Sequence, residues 1–131
     1  MSTLKVDNIR DNGTGFNDVV SFQNGNGTEN GRLCRAWVNF NGTSTVAIRA
    51  NFNVNSITDN GVGDFTINFA NAMSDANYSY SCNGLVYQNV RTVNVQADNT
   101  GVSSGSLRTV CVLNNDSGLF DLDVVAVQIF R

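Results

Sequence analysis

Ten aspartates, three cysteines and no histidine are the reactive material of this 131-residue chain. Without histidine, the usual general base of a nucleophilic triad and the commonest metal ligand are both missing. Hydrolysis would then fall to a pair of carboxylates, which is all that glycoside cleavage requires if their separation suits. Four of the ten aspartates stand in plain turn contexts instead: Asp11-Asn12-Gly13, Asp59-Asn60-Gly61, Asp98-Asn99 and Asp116-Ser117-Gly118. In such company aspartate bonds the nearby backbone and sets a turn. The stretch from Ser56 to Phe69, SITDNGVGDFTINF, poses the question most sharply, because Asp59 and Asp64 bracket a glycine-containing loop. An EF-hand would need ligands at alternate positions and a bidentate glutamate at the twelfth, whereas Val62 follows Gly61 and the sole glutamate is Glu29. A hairpin turn is the better reading, with Asn60-Gly61 and Gly63 supplying residues that tolerate positive φ. GNGTENG is followed by neither lysine-serine nor lysine-threonine, so it reads as a flexible linker and not as a phosphate loop. No metal, cofactor or catalytic residue is expected.

Composition narrows the remaining classes. Asparagine fills 21 positions, while charged residues make up only 15% of the chain. The polar surface therefore relies on amides and hydroxyls, groups suited to water, sugars and protein and not to steering phosphate. The net charge of −3 and a single lysine, Lys5, argue against nucleic-acid binding. No run approaches the roughly 20 apolar residues that span a bilayer, and MSTLKVDNIR has no signal-peptide core. Synthesis and folding in a cytoplasm are expected. Cys34, Cys82 and Cys111 are odd in number and widely spaced, as reduced core thiols would be.

The elements that must position these residues are strands. Asparagine, glycine, serine, threonine and β-branched residues interrupt every window that could form a long amphipathic helix. Alternation is clearest in Val46, Ile48, Ala50 and Phe52 against Ala47, Arg49 and Asn51, and in Phe65, Ile67 and Phe69 against Thr66 and Asn68. Further strands are expected over Leu4 to Ile9, Leu33 to Phe40, Tyr78 to Cys82, Val86 to Val95, Leu107 to Leu113 and Leu122 to Phe130. Many short strands between turn clusters predict an all-β fold, an antiparallel β-sandwich of jelly-roll type. Residues 1–31 read as an extended amino-terminal arm and linker, and 32–131 as the sandwich. A strand as short as Leu4, Val6 and Ile9 is not stable by itself and needs a partner.

Two strands carry the candidate surfaces. In Leu33 to Phe40 alternation sets Cys34, Ala36, Val38 and Phe40 on one face and Arg35, Trp37 and Asn39 on the other, so the only tryptophan points away from the apolar side. Tryptophan beside arginine is a frequent interface or ligand anchor. The last strand is apolar on both faces, Val125, Val127 and Ile129 against Val124, Ala126 and Phe130. It is either a central strand covered on both sides or one that packs against another subunit. Candidate ligand or receptor residues are Trp37, Arg35, Asn39, Asn60 and Tyr87, the aromatics stacking on sugar rings and the amides bonding hydroxyls. Candidate attachment or oligomer residues are Leu4, Val6, Ile9, Val124 and Phe130.

Several stretches together resemble a module of tailed-phage virion proteins, notably from phages of marine bacteria and cyanobacteria. They are STLKVDNI, RAWVNFNGTSTVAIRANFNVNSITDNGVGDFTINFANAMSDANYSYS and the terminal DLDVVAVQIFR. The central block from Arg35 to about Ser81 is the specific part. Where the module usually has proline this chain has Ser74, which should loosen a loop without changing the fold. The resemblance implies a small β-sandwich at the end of a tail fibre or other appendage, commonly trimeric, with the amino-terminal strand on the attachment side and no established active site. The expected function is a virion structural protein, a short tail fibre or receptor-binding subunit in host attachment. Its expected partners are itself as a homotrimer, other virion proteins of tail or capsid, and a host-surface glycan or outer-membrane receptor. The alternatives are a capsid decoration or head-fibre protein, which the short chain favours, and a glycan-degrading enzyme using an aspartate pair.

Overall fold

The computed structural model describes residues 19–24, 27–86, 93–113 and 118–131. Leu4, Val6, Ile9 and Tyr87 lie outside them. The chain divides into two units, Met1–Leu33 and Cys34–Arg131. Among the described residues there is no helix.

The first unit carries an antiparallel hairpin of β1 (Val19–Asn24) and β2 (Gly27–Arg32), in register from Val19 opposite Arg32 to Asn24 opposite Gly27. GNGTENG, expected to be a flexible linker, therefore contributes most of a strand. Side-chain periodicity could not report it, because GTENGR has no apolar residue to alternate.

Among its described residues the second unit holds eight strands: β3 (Cys34–Asn41), β4 (Ala47–Phe52), β5 (Val54–Gly61), β6 (Asp64–Phe69), β7 (Ser79–Leu85), β8 (Val93–Val102), β9 (Ser106–Leu113) and β10 (Val124–Phe130). They form two antiparallel four-stranded sheets, ordered β4-β3-β10-β7 and β5-β6-β9-β8. The sheets share one core in a sandwich-like arrangement. The first gives it Ala36, Val38 and Phe40 from β3 and Val125, Val127 and Ile129 from β10; the second gives Phe65 and Ile67 from β6 and Leu107 and Cys111 from β9. Phe40 meets Phe65 edge to face, with centroids 5.2 Å apart. Each large apolar side chain fully buried this way contributes roughly 1.5–3 kcal/mol, so this shared layer dominates the stability. Tyr78 packs edge-on to Phe69 and donates its hydroxyl to the Ser103 and Ser106 carbonyls, at 3.1 and 3.0 Å. Burial pushes its pKa up to about 12.

The expected alternation holds in β3, β6 and β10 but fails in β4. A register shift sets Phe40 opposite Ile48 and Asn39 opposite Ala50, so Arg49 is an extra residue. Its guanidinium donates to the Phe40 carbonyl at 3.1 Å. A bulge of this kind reverses which residues face inward. Ile48 packs on the core, whereas Ala50 and Phe52 are exposed. The hairpin expected between Asp59 and Asp64 is present but shifted. β5 runs to Gly61, and the turn falls at Val62 and Gly63.

Candidate functional site

The β5–β6 hairpin answers the question raised by Asp59 and Asp64. Gly61 and Gly63 both take positive φ, 127° and 63°, which glycine adopts without a side-chain clash. Asp59 accepts from the Gly61 N–H at 2.9 Å, and Asp121, 58 residues beyond Gly63, accepts from the Gly63 N–H at 2.6 Å. Asp64 receives two bonds from Arg108, at 2.8 Å from Nε and 2.5 Å from Nη2. Those bonds hold its carboxyl below the ordinary value of 3.8 against the opposing effect of burial, with Asn60 assisting. These aspartates secure a turn and pair a cation. Among the described residues no group of three potential ligands converges on a metal position.

Beside the ion pair, the outer face of the β5-β6-β9-β8 sheet is a chain of internal hydrogen bonds. The Asn60 amide donates to Asp64 at 3.2 Å and to the Thr66 hydroxyl at 2.9 Å. Asn68 donates to the Ser56 and Thr58 hydroxyls at 3.2 and 3.0 Å. Asn60, a candidate ligand residue, thus spends both amide hydrogens within its own sheet.

The outer face of the other sheet is of another kind. Strand register aligns Phe52, Trp37, Gln128 and Ser81 in one row across β4, β3, β10 and β7, and Ala50, Asn39, Ala126 and Asn83 in the next. Val124 and Leu85 pair beyond them. Phe52 is 54% exposed, Leu85 50% and Trp37 37%, although all three are large and apolar. Trp37 and Asn39, candidates for ligand contact, and Val124, a candidate for subunit contact, therefore share one face, separate from Asn60. Phe130 ends β10 opposite Ser79 and Cys34 and is also exposed. Arg35 precedes Trp37 at the border of the face, its carbonyl accepting from Asn53 at 3.1 Å.

Sequence reasoning missed Phe52 and Leu85 as members of this face. It placed Ala126 there through the doubly apolar pattern of β10; for Phe52 the bulge at Arg49 erased the signal. A second exposed apolar group consists of Val62, at the tip of the β5–β6 hairpin, and Leu119 and Phe120, in the segment bridged to β9. The three cysteines are free thiols. Burial raises Cys111 to about 12 and Cys82 to about 11, so neither is a ready nucleophile. With the surfaces described, comparison adds no relative: no protein-family model matches the chain, and no curated protein or solved structure gives a significant match.

Proposed function

We propose that this protein is a structural subunit of a phage virion, a short tail fibre or receptor-binding subunit that takes part in host attachment. The jelly-roll winding of its sandwich, an extended amino-terminal arm and a homotrimeric assembly belong to the same proposal. The observation that carries it is the outer face of the β4-β3-β10-β7 sheet, where Phe52, Trp37 and Leu85 are exposed and Val124 is half-buried beside Leu85. Exposed large apolar side chains gathered on one sheet face mark a site of association more often than a site of chemistry. The phage-module resemblance of Arg35 to Ser81 and of the terminal strand supplies the setting. A role without catalysis is supported by the lack of histidine and by the commitment of Asp64 to Arg108.

Antibody raised against the purified protein and imaged on intact virions tests this reading. Label confined to the tail, with excess free protein blocking infection, is the expected result. Label spread over the head would make the protein a capsid decoration subunit, and absence from the particle would end the virion reading. Release of sugar from host envelopes by the purified protein, abolished by substitution of a single aspartate, would establish an enzyme instead.

A further inference from the structure

We infer that Asn60-Gly61, at the end of β5, is a self-modification site: the Gly61 nitrogen closes on the Asn60 side chain, Asp59 accepts the proton, and the amide is hydrolysed to a carboxylate. This chemistry needs no virion setting, so it stands apart from the proposed function.

The chain contains seven Asn-Gly pairs. Glycine has no Cβ to shield its nitrogen and lets the backbone bend toward the preceding side chain, which makes this dipeptide the one most prone to cyclise. Three of the pairs lie among the described residues of Cys34–Arg131: Asn41-Gly42, Asn60-Gly61 and Asn83-Gly84.

Two of these are held out of reaction. The buried Gly42 donates its N–H to the Leu122 carbonyl at 2.9 Å, and the Asn41 amide donates to the Thr43 and Thr45 carbonyls at 2.6 and 3.1 Å. Asn83 and Gly84 lie inside the unbroken ladder of β7 with β10, from Val124 opposite Leu85 to Phe130 opposite Ser79. Ladder pairing keeps that backbone extended.

Asn60 differs in each respect. Register passes from Asp59 opposite Phe65 to Gly61 opposite Asp64, which leaves Asn60 as the extra residue of a bulge, outside the ladder. Asp59, Asn60 and Gly61 are all exposed, and nothing lies within 4 Å of the place a Gly61 Cβ would take. The Gly61 N–H donates to the Asp59 carboxylate at 2.9 Å, so the nucleophile already touches its proton acceptor. The bonds from Asn60 to Asp64 and Thr66, at 3.2 and 2.9 Å, engage Nδ2 and not the carbon to be attacked.

The Gly61 nitrogen bonds to Asn60 Cγ as its proton passes to Asp59, and Nδ2 leaves as ammonia once that proton reaches it through solvent. Water then opens the succinimide at either carbonyl, giving aspartate or isoaspartate. No oxidant or cofactor takes part. The product sets a like charge beside Asp64 where an amide had donated, and net charge becomes one unit more negative than −3.

The full chain, incubated at mildly alkaline pH and body temperature and sampled over weeks, is followed by peptide mass spectrometry. The Asn60 peptide should gain the mass of an amide-to-acid exchange and split into aspartate and isoaspartate forms, at least about tenfold faster than the Asn41 and Asn83 peptides, which must wait for local opening. In guanidinium chloride the three pairs should convert at similar rates. Asp59→Ala should slow conversion severalfold, with circular dichroism showing the fold retained. Asn60→Asp should lower the denaturant midpoint as conversion does, and Asn60→Gln should hold the midpoint constant during incubation. An unchanged Asn60 peptide, conversion of Asn41 or Asn83 that keeps pace with it, or the same ranking in denaturant overturns the inference. So does an Asp59→Ala rate equal to or above that of the parent chain.

Discussion

The two outer faces of the sandwich are built on similar four-stranded sheets and meet opposite fates. On the β5-β6-β9-β8 face the polar groups find one another: Asn60 holds Asp64 and Thr66, Asn68 holds Ser56 and Thr58, and Arg108 holds Asp64. On the β4-β3-β10-β7 face aromatic and aliphatic side chains stand beside amides, and Phe52, Leu85 and Trp37 remain exposed among the described residues. A sheet face that satisfies its own polar groups has little left to offer a partner, since displacing those bonds costs what new ones return. A face that leaves apolar area in water gains by meeting another. The difference separates a finished surface from an unfinished one.

The comparison is broken most forcefully at Gly63, which anchors the finished side. Its φ of 63° and the 2.5 Å that would separate an added Cβ from the Phe120 nitrogen leave no room for a side chain. Gly63→Ala should cost about 3 kcal/mol or more, read as a fall in denaturant midpoint, because backbone must move to admit it. Asp64→Asn comes next. It leaves the Arg108 cation facing a neutral amide instead of a carboxylate and should cost about 1 kcal/mol, because the Arg108 side chain is partly exposed to screening solvent. The folded-state pKa of Asp64 lies below the unfolded value of 3.8, so its contribution is complete above that value and disappears as pH falls through the folded one. Acid titration of stability should therefore lose part of its fall below 3.8 in Asp64→Asn.

Effects no larger than this sharpen the contrast. Asn68→Ala removes donations to two hydroxyls and should cost about 1 kcal/mol in thermal unfolding. Phe52→Ser, on the unfinished face, should change the stability of the dilute monomer by no more than about 0.5 kcal/mol, since the ring is more than half exposed there. A loss as large as that of Asn68→Ala would mean that another part of the same chain covers Phe52, and the contrast would fail.

Much of this division was legible in the sequence where periodicity carries it. Trp37 opposite Ala36, Val38 and Phe40, and the doubly apolar β10, both pointed to an outer face that differs from ordinary solvent-facing strand. Phe52 was misread because one extra residue at Arg49 reverses the inward set without leaving a mark in the pattern of side-chain types. Asn60 looked available because its partners, Asp64 and Thr66, are set by a hairpin register fixed only when the turn falls at Val62 and Gly63. The Asp121 bond to Gly63 joins segments that no local reading connects. Strand β2 escaped because backbone pairing, unlike burial, needs no apolar residue.

The position of β10 bears on how the molecule is made. It is the last of these strands to leave the ribosome, yet it occupies the middle of its sheet, bonded to β3 on one side and β7 on the other. Until it emerges, both neighbours present an unpaired edge, and translation at about 5–20 residues per second prolongs that exposure. The core layer of Val125, Val127 and Ile129 is absent for the same interval. A nascent chain in this state calls for chaperone shelter, and termination just before Val124 would yield no smaller version of the domain, only two open strand edges prone to aggregate.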